Sequence, residues 1–286
     1  MKIGVALSGG GIRGIAHAGA LKALEDNGIK IDVIGGTSSG AMIASLYAIG
    51  YSPYYIYMLF KRYSEKLVGI SNIPIFSGIK KFAASNRLKN IGEKTGDMIE
   101  KEYNRLARSK NIEKINEITR MPLVMPTVDV KNSKEYIFTN MVPDGSDDRD
   151  KYITNITFGK AVRASSSFPG IFSPCEFKHH KFLDGGILNN IPVIEVRKQG
   201  TDKVIGINFK ADDIDENSNM MDLGMRTIDI MGNKISRENL DQSDYVLTIK
   251  TDKTGLLDAE KLDSCYNYGY QAVIENLDEI KERLTT

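Results

Sequence analysis

The sequence predicts an α/β protein with a mostly parallel central sheet that is flanked by helices. Short apolar runs alternate with longer segments of helical periodicity, which is the pattern of parallel strands joined by helical crossovers. Near the start of the chain, two of the apolar runs also pass directly into glycine-rich turns that open helices. The predicted strands span residues 3–8, 31–36, 122–129, 134–140, 180–184, 203–209 and 244–250.

The first predicted strand, residues 3–8, leads into a loop at residues 9–14 with the sequence Gly-Gly-Gly-Ile-Arg-Gly. An apolar helix follows from Ile15 through Leu24. A glycine-rich loop between a strand and a helix directs several backbone N–H groups at one anion. Such a loop can bind a phosphate group or stabilise an oxyanion, and both functions are open at this point.

The second predicted strand, residues 31–36, leads into the turn 36–40, Gly-Thr-Ser-Ser-Gly, and a helical run follows at 41–48. A serine between small residues at a sharp strand-to-helix turn is the arrangement of a nucleophile elbow, in which the hydroxyl is exposed above the sheet. The helix N-terminus beside Ser38 would also stabilise negative charge. A small-residue turn without chemistry is the alternative that this pattern alone leaves open.

A dinucleotide site is the competing interpretation of the glycine loop. Gly9, Gly11 and Gly14 match the pattern G-x-G-x-x-G, and Asp32 follows near the distance expected of a ribose-binding acid. That acid belongs at the carboxyl end of the second strand, however, whereas Asp32 precedes the apolar residues of the strand. No Gly-Lys-Ser/Thr follows the loop, which argues against a P-loop. Adjacent crossovers would instead bring the loop and Ser38 to one edge of the sheet.

A serine nucleophile needs a base, and the chain offers three histidines, His17, His179 and His180. We expect His17, in the first predicted helix, to be a packed core residue. His179 and His180 lie in a polar stretch typical of a hairpin turn, where we expect them to be solvated, so they are the fallback. No histidine follows them, which leaves the serine, acid, histidine order of α/β hydrolases unmet.

Asp184 is the better candidate base. It lies at the end of the short predicted strand 180–184 and is followed by Gly185 and Gly186, which let the backbone turn closely past a neighbouring segment. An ordinary Asp-Gly turn is the alternative that the residues alone leave open.

Three motifs, in this order and at these distances, resemble the patatin-like phospholipase family. They are an oxyanion motif with Gly9, Gly10, Gly11, Arg13 and Gly14, an elbow motif with Ser38 between Gly36 and Gly40, and a dyad motif with Asp184, Gly185 and Gly186. Residues 161–172 and 189–193 look like further family sequence, so the resemblance covers nearly the whole chain. It implies a patatin-like α/β/α fold and a Ser–Asp dyad without histidine.

The resemblance implies a lipid acyl hydrolase of the phospholipase, lipase or esterase type. Ser38 would attack a fatty-acyl ester and form an acyl-serine, with Asp184 as its base. Backbone N–H groups of Gly10 and Gly11 would hold the oxyanion, and Arg13 would fix this loop from behind. Because a carboxylate is a weak base, the site should be enclosed enough to raise the pKa of Asp184. The chemistry calls for no cofactor and no metal.

Two other classes stay open as alternatives to the hydrolase. One is a nucleotide-binding protein that uses the loop 9–14, and the other is a non-catalytic lipid-binding protein on the same fold. The motifs specify attack on an ester and leave the head group, the acyl length, the sn-position and the oligomeric state open.

Length and composition favour a single domain over residues 1–286, in which 41% apolar residues can form a substantial core, and the resemblance implies that this domain is patatin-like. A net charge of +1 argues against nucleic acid as a partner, so the expected partner is a lipid or fatty-acyl ester substrate. The first strand begins at once, and no apolar run approaches the roughly 20 residues of a membrane span. We therefore expect a cytoplasmic protein, with peripheral membrane contact left open. Cys175 and Cys265 are expected to be two buried thiols.

Residues 51–118 are mainly of helical pattern and rich in lysine and glutamate, which predicts a helical cap or insertion over one edge of the sheet. Within this segment, residues 54–60 are densely aromatic. A buried helix face is the favoured interpretation, and a lining for an acyl-chain pocket or a lipid contact is the alternative. Residues 276–284 are expected to form a closing amphipathic helix.

Overall fold

The structure is a computed structural model that describes residues 1–71, 86–169, 171–210, 220–251 and 259–286. Within these ranges the strands form one nine-stranded sheet. The strands are β1 (Ile3–Leu7), β2 (Val33–Gly36), β3 (Leu123–Asp129), β4 (Lys134–Thr139), β5 (Tyr152–Ile153), β6 (Cys175–Phe177), β7 (His180–Asp184), β8 (Lys203–Phe209) and β9 (Tyr245–Ile249). Their order is β5-β4-β3-β2-β1-β8-β9, and β6 and β7 form a hairpin that joins the sheet at β3. Side chains are not described at residues 63–94, 220–229, 233 and 259.

The core of the sheet is parallel, as the sequence predicts. β1 pairs in parallel with β2 on one side and β8 on the other, and β3 and β9 extend this parallel set outward. The antiparallel pairs are β3 with β4, β3 with β7 and β6 with β7. The strands β1, β2 and β3 are buried along their whole length, which is why they read as continuous apolar runs.

Helices cover both faces of the sheet. They are α1 (Ile15–Asp26), α2 (Ser39–Ala48), α3 (Pro53–Ser71), α4 (Asn86–Arg108), α5 (Phe158–Ser165), α6 (Val193–Lys198), α7 (Met220–Asp241), α8 (Leu262–Glu275) and α9 (Leu277–Thr285). Alternate residues of β1 face opposite layers: Val5 and Leu7 pack in the larger core with α1, α2, α5 and α8, whereas Ala6 packs in the smaller core with α6. The arrangement is the predicted α/β/α sandwich.

The position of β7 determines where the site forms. β4 pairs with residues 124–129 along one edge of β3. On the other edge, β2 pairs with Leu123 and Val124, and β7 pairs antiparallel with residues 127–129. β7 therefore lies beyond the carboxyl end of β2, in line with it, and its last residue, Asp184, is next to the turn that follows β2.

The seven strands predicted from the sequence are confirmed to within two residues at each end. β5 and β6 were not predicted, because runs of two and three residues are too short to show a period of two. The predicted helical segment 51–118 contains α3 and α4, while its residues 72–85 lie outside the described part of the chain. These two helices pack on α1 and α5, on one face of the sheet. The closing helix is confirmed as α9.

Both cysteines are buried free thiols, as the sequence predicts. None of the helices that the structure describes is long and apolar enough to span a bilayer.

Helices α1 and α8 approach until their backbones touch, and two glycines permit this. A Cβ atom on Gly19 of α1 would overlap the carbonyl group of Tyr266, and a Cβ atom on Gly269 of α8 would overlap the carbonyl oxygen of Ala16. The obstructing atoms belong to the backbone and cannot rotate away, so the helices would have to separate to admit any side chain.

We expect Gly19→Ala and Gly269→Ala each to lower the free energy of unfolding by about 1–3 kcal/mol, because overpacking forces a backbone shift. Urea denaturation of the variants measures this change. Gly232→Ala in α7 is the matched control: its Cβ would meet the nearest heavy atom at 3.9 Å. Since alanine favours a helix over glycine by about 1 kcal/mol, this control should be as stable as the parent or more so. Equal stability of all three variants would contradict the close-contact argument.

Candidate active site

Ser38 occupies a strained turn between β2 and α2. Its backbone angles are φ 56° and ψ −123°, a conformation that residues other than glycine rarely adopt. The turn is held by two neighbours without side chains. A Cβ atom on Gly40 would lie 2.5 Å from the carbonyl oxygen of Leu7, and one on Gly36 would overlap the backbone of Gly40. The side chain of Ser38 is half-buried at the start of α2, as a nucleophile elbow requires.

Asp184 lies at the end of β7 with its side chain buried. Burial raises the pKa of Asp184 to about 6, against the lowering effects of the Ser38 hydroxyl and the Gly186 amide. Gly186 donates its backbone N–H to Oδ1 over 2.8 Å. The second oxygen, Oδ2, accepts no hydrogen bond from the described residues. Catalytic hydrogen bonds often tighten only with substrate in place.

The C-terminal end of α5 links these two residues. The Ser38 backbone N–H donates to the carbonyl oxygen of Ser165 over 3.2 Å, and the Asp184 N–H donates to that of Ser167 over 3.1 Å. Ser166 donates its hydroxyl to the Ser38 carbonyl oxygen over 3.1 Å. The role of this serine run depends on contacts with two distant segments, so the local sequence does not show it.

The glycine loop lies against the elbow. A Cβ atom on Gly9 would be 3.2 Å from the Cβ of Ser38, so the two backbones are near neighbours. The Gly9 N–H is already occupied, because it donates to the carbonyl oxygen of Asn190 over 3.0 Å. The N–H groups of Gly10 and Gly11 have no acceptor among the residues that the structure describes. These two amides are therefore the donors that the loop can offer to an anion.

Arg13 and Gly14 support this loop from within the fold. Arg13 is buried, donates its Nε–H to the carbonyl oxygen of Gly10 over 3.3 Å and lies 5.6 Å from the centre of the Phe209 ring. The Arg13 side chain thus contacts the backbone of the loop. A Cβ atom on Gly14 would overlap Ser39, so this glycine allows the first turn of α2 to pack against the loop.

The hydrogen bonds that the structure describes for His17 and His180 go to residues other than Ser38. His17 is completely buried and confirmed as a core residue: burial lowers its pKa to about 4, and Nε2 lies 2.8 Å from the Ser8 carbonyl oxygen. The neutral ring donates that hydrogen bond, since a carbonyl can only accept. His179 is exposed, as expected.

The expectation that His180 is solvated is wrong. Its Nδ1 atom lies 2.8 Å from Oδ2 of Asp129, and its ring stacks on Phe182 at 5.1 Å between centres. The antiparallel pairing of β3 with β7 brings these residues together, and that pairing is not visible in the local sequence. His180 is four residues from Asp184 along an extended strand, a distance of about 13 Å.

Asp32 lies at the opposite end of the sheet from the glycine loop, which supports the argument against a dinucleotide site. Its carboxylate accepts the backbone N–H of Ile3 over 3.1 Å and pairs with Lys30 at 2.7 Å. Ile3 is the first residue of β1, whereas the glycine loop follows the last. Within the described ranges, His, Cys, Asp and Glu side chains form no cluster of three or more that could hold a metal ion.

The aromatic segment 54–60 has one buried and one exposed face. Tyr57 donates its hydroxyl to Asp263 over 2.7 Å, and its ring lies 4.5 Å from that of Tyr266 in α8. Tyr54 and Met58 are exposed. This confirms the interpretation as a packed helix face, while a role in lining an acyl pocket stays a prediction.

The patatin-like phospholipase family model matches residues 5–197, a span that contains the glycine loop, the elbow and the Asp-Gly-Gly turn. The chain belongs to this family.

Relatives and known structures agree with this assignment. The YqhO protein of Bacillus subtilis is 32% identical over 215 residues, which cover 72% of this chain and 71% of that protein. Lysophospholipase NTE1 of Scheffersomyces stipitis is 30% identical over 218 residues, which are 74% of this chain but only 12% of that protein. The crystal structure of VipD from Legionella pneumophila superposes with a TM-score of 0.53 at 16% identity, over 97% of this chain and 67% of that chain. That likeness shows the shared fold.

We expect the ionisation of Asp184 to destabilise the fold as the pH rises. Its pKa is raised from 3.8 to about 6, so the stability it contributes is fully present below pH 4 and is lost as the pH rises through 6. A shift of this size corresponds to roughly 3 kcal/mol at pH 7.5. Asp184→Asn removes the titration, so the variant should gain stability relative to the parent between pH 4 and pH 7.5. Urea denaturation at the two pH values measures the gain, and a pH-independent difference would contradict the raised pKa.

Proposed function

We propose that this protein is a serine lipid acyl hydrolase that cleaves fatty-acyl esters through a dyad of Ser38 and Asp184. The observation that carries the proposal is a serine in a strained elbow beside a buried carboxylate whose pKa is raised to about 6. A carboxylate with that pKa is mostly ionised at neutral pH and is a better proton acceptor than an exposed aspartate. Family membership supports the same chemistry.

In the first step, Asp184 accepts the hydroxyl proton of Ser38 as the serine oxygen attacks the ester carbonyl carbon. The carbonyl π bond opens and leaves a tetrahedral oxyanion. Collapse of that intermediate expels the alcohol, which takes the proton from Asp184, and leaves the acyl group on Ser38. Each proton movement involves the one carboxylate, so no histidine is needed.

The oxyanion needs donors that are in place before the reaction, because reorganising them would cost free energy. The amides of Gly10 and Gly11 fit this role, since they have no acceptor among the described residues and their loop packs against Ser38. The N-terminal end of α2 adds its positive dipole at the same place. Arg13 keeps the loop in this form through the Gly10 carbonyl group.

In the second step, water attacks the acyl-serine and transfers a proton to Asp184. The second tetrahedral intermediate then collapses, the proton returns to the serine oxygen, and the fatty acid leaves. The proposed substrate is the acyl ester of a phospholipid or lysophospholipid, which the name of the lysophospholipase relatives supports. Since the chain covers about an eighth of those relatives, their full activity is not carried over.

We further propose that residues 1–286 form one catalytic domain that works in the cytoplasm and meets its lipid by peripheral contact. The two buried free thiols suit a reducing compartment, because cysteines of cytoplasmic proteins stay unpaired.

We expect a fluorophosphonate probe to modify Ser38 and no other serine, because a phosphonyl group reacts with an activated hydroxyl as the ester does. Peptide mass spectrometry identifies the modified residue. Ser38→Ala should abolish both labelling and the release of fatty acid from lysophospholipid. Labelling of the Ser38→Ala protein at the wild-type level would refute the assignment. Binding of NAD or ATP that survives the substitution would favour the nucleotide alternative instead.

We expect kcat/KM for a soluble p-nitrophenyl ester to rise with pH through about 6 and then level off, because Asp184 acts as a base only when ionised. Asp184→Asn should lower the plateau by about 10²–10⁴-fold, the usual contribution of a general base. His179→Ala is the control, since that side chain is exposed and should leave the profile unchanged. A lost or shifted pH dependence in the His179→Ala profile would favour a Ser–His mechanism.

A further inference from the structure

We propose that Asn189 and Glu135 are positioning residues that hold the elbow and the Asp-Gly-Gly turn at the separation that catalysis needs. The inference deepens the proposed function and rests on it. It comes from the contacts of Asn189, which join the segments that carry both members of the proposed dyad.

The backbone of Asn189 forms hydrogen bonds with the chain neighbours of both residues of the proposed dyad. Its N–H donates to the carbonyl oxygen of Gly185 over 2.8 Å, and Gly185 directly follows Asp184. Its carbonyl oxygen accepts the hydroxyl of Thr37 over 2.8 Å, and Thr37 directly precedes Ser38. Thr37 and Asn189 are both buried, so water cannot replace this hydrogen bond. A displacement of Asn189 would move the two chain segments relative to each other.

The residue after Asn189 extends the linkage to the third motif. Asn190 accepts the Gly9 N–H on its carbonyl oxygen over 3.0 Å. A Cβ atom on Gly9 would lie 2.5 Å from Oδ1 of Asn190, so the loop also packs against that side chain. Residues 189 and 190 thus contact the glycine loop, the elbow and the Asp-Gly-Gly turn at once.

Glu135 anchors Asn189 from the sheet. The amide Nδ2 of Asn189 donates to Oε1 of Glu135 over 2.7 Å, a charge-assisted hydrogen bond. Glu135 lies in β4, opposite Val128 of β3, so the anchor belongs to the rigid sheet. Its other oxygen lies 3.3 Å from Nζ of Lys151, which also pairs with the buried Glu195 at 2.9 Å. Lys151 thus places a positive charge beside the anchor.

These contacts act on geometry and not on the ester itself. The side chain of Glu135 reaches Ser38 only through Asn189 and Thr37, so its loss should slow the chemical step without weakening ground-state binding. Misplacement of a catalytic group by about 1 Å can cost 10²-fold in rate. A positioning role of Glu135 and Asn189 therefore predicts a fall in kcat at nearly constant KM, which a purely structural role does not.

The test exchanges the donor and the acceptor of the hydrogen bond between Asn189 and Glu135. Glu135→Ala removes the acceptor, and Asn189→Asp sets two carboxylates against each other. The double variant Glu135→Gln with Asn189→Asp restores one hydrogen bond with donor and acceptor exchanged, because the glutamine amide can donate to the new carboxylate. Lys198→Gln is the matched control, since Lys198 pairs with Glu195 at 2.8 Å and has no bond to Asn189 in the described contacts.

We expect each single variant to lower kcat for a short p-nitrophenyl ester by about 10-fold or more with KM within about twofold, and the double variant to recover most of that loss. The rate constant for fluorophosphonate labelling of Ser38 should fall and recover in parallel. Hydrogen exchange at residues 36–40 and 184–190 should be faster in both single variants and should return to the parent rate in the double variant. Lys198→Gln should match the parent in all three measurements.

The proposal would be overturned if the single variants unfold at lower urea concentration yet keep the parent kcat per folded molecule. Glu135 and Asn189 would then only stabilise the fold. Failure of the double variant to recover kcat and exchange would also overturn it. A parent protein that hydrolyses no ester and is not labelled would refute the proposed function separately. In that case the exchange rates at residues 36–40 and 184–190 still decide whether Glu135 and Asn189 hold these segments together.

Discussion

The pairing of β7 with the C-terminal residues of β3 is the constraint on which the whole site depends. β2 ends at Gly36 because the chain turns sharply there, and β7 enters from the opposite direction in line with it. The end of one strand thereby meets the end of the other, which places Asp184 beside Ser38. Backbone hydrogen bonds to Ser165 and Ser167 then fix the two segments to the same end of α5. The ladder of the sheet therefore sets the relative position of the two segments that carry Ser38 and Asp184.

The strained backbone of Ser38 and the burial of the Asp184 carboxylate both lower the stability of the fold, and contacts with the surrounding backbone offset part of each cost. The conformation of Ser38 is tolerated because Gly36 and Gly40 remove the obstacles around it. Asp184 has one aligned hydrogen bond, from Gly186, which leaves part of its burial cost uncompensated. The raised pKa is the direct expression of that uncompensated cost, and under the proposed mechanism it would make the carboxylate a better proton acceptor. Under the proposed mechanism, stability would be lowered at the position where reactivity is gained.

Another buried acid, Glu195, behaves in the opposite way. Glu195 is also buried, but it accepts hydrogen bonds from Lys151, Lys198 and Tyr152. These donors lower its pKa in spite of burial, so it is held in the charged form. The two groups that lower the pKa of Asp184 are the Gly186 amide and the Ser38 hydroxyl, and neither of them carries a charge. The contrast separates a structural carboxylate from one that is free to exchange a proton.

The sequence by itself determined the seven longer strands, the glycine-rich turns and the identity of Ser38 and Asp184 as candidates, because period, turn chemistry and motif are properties of neighbouring residues. It missed β5 and β6, which are too short to show a period. It also misplaced His180 in solvent and gave no role to Asn189 or Glu135, since the contacts of His180 with Asp129 and of Asn189 with Glu135 join residues more than 50 positions apart. Only the tertiary structure decided these contacts, because the register between β3 and β7 is set by the packing of the whole sheet and not by any local segment.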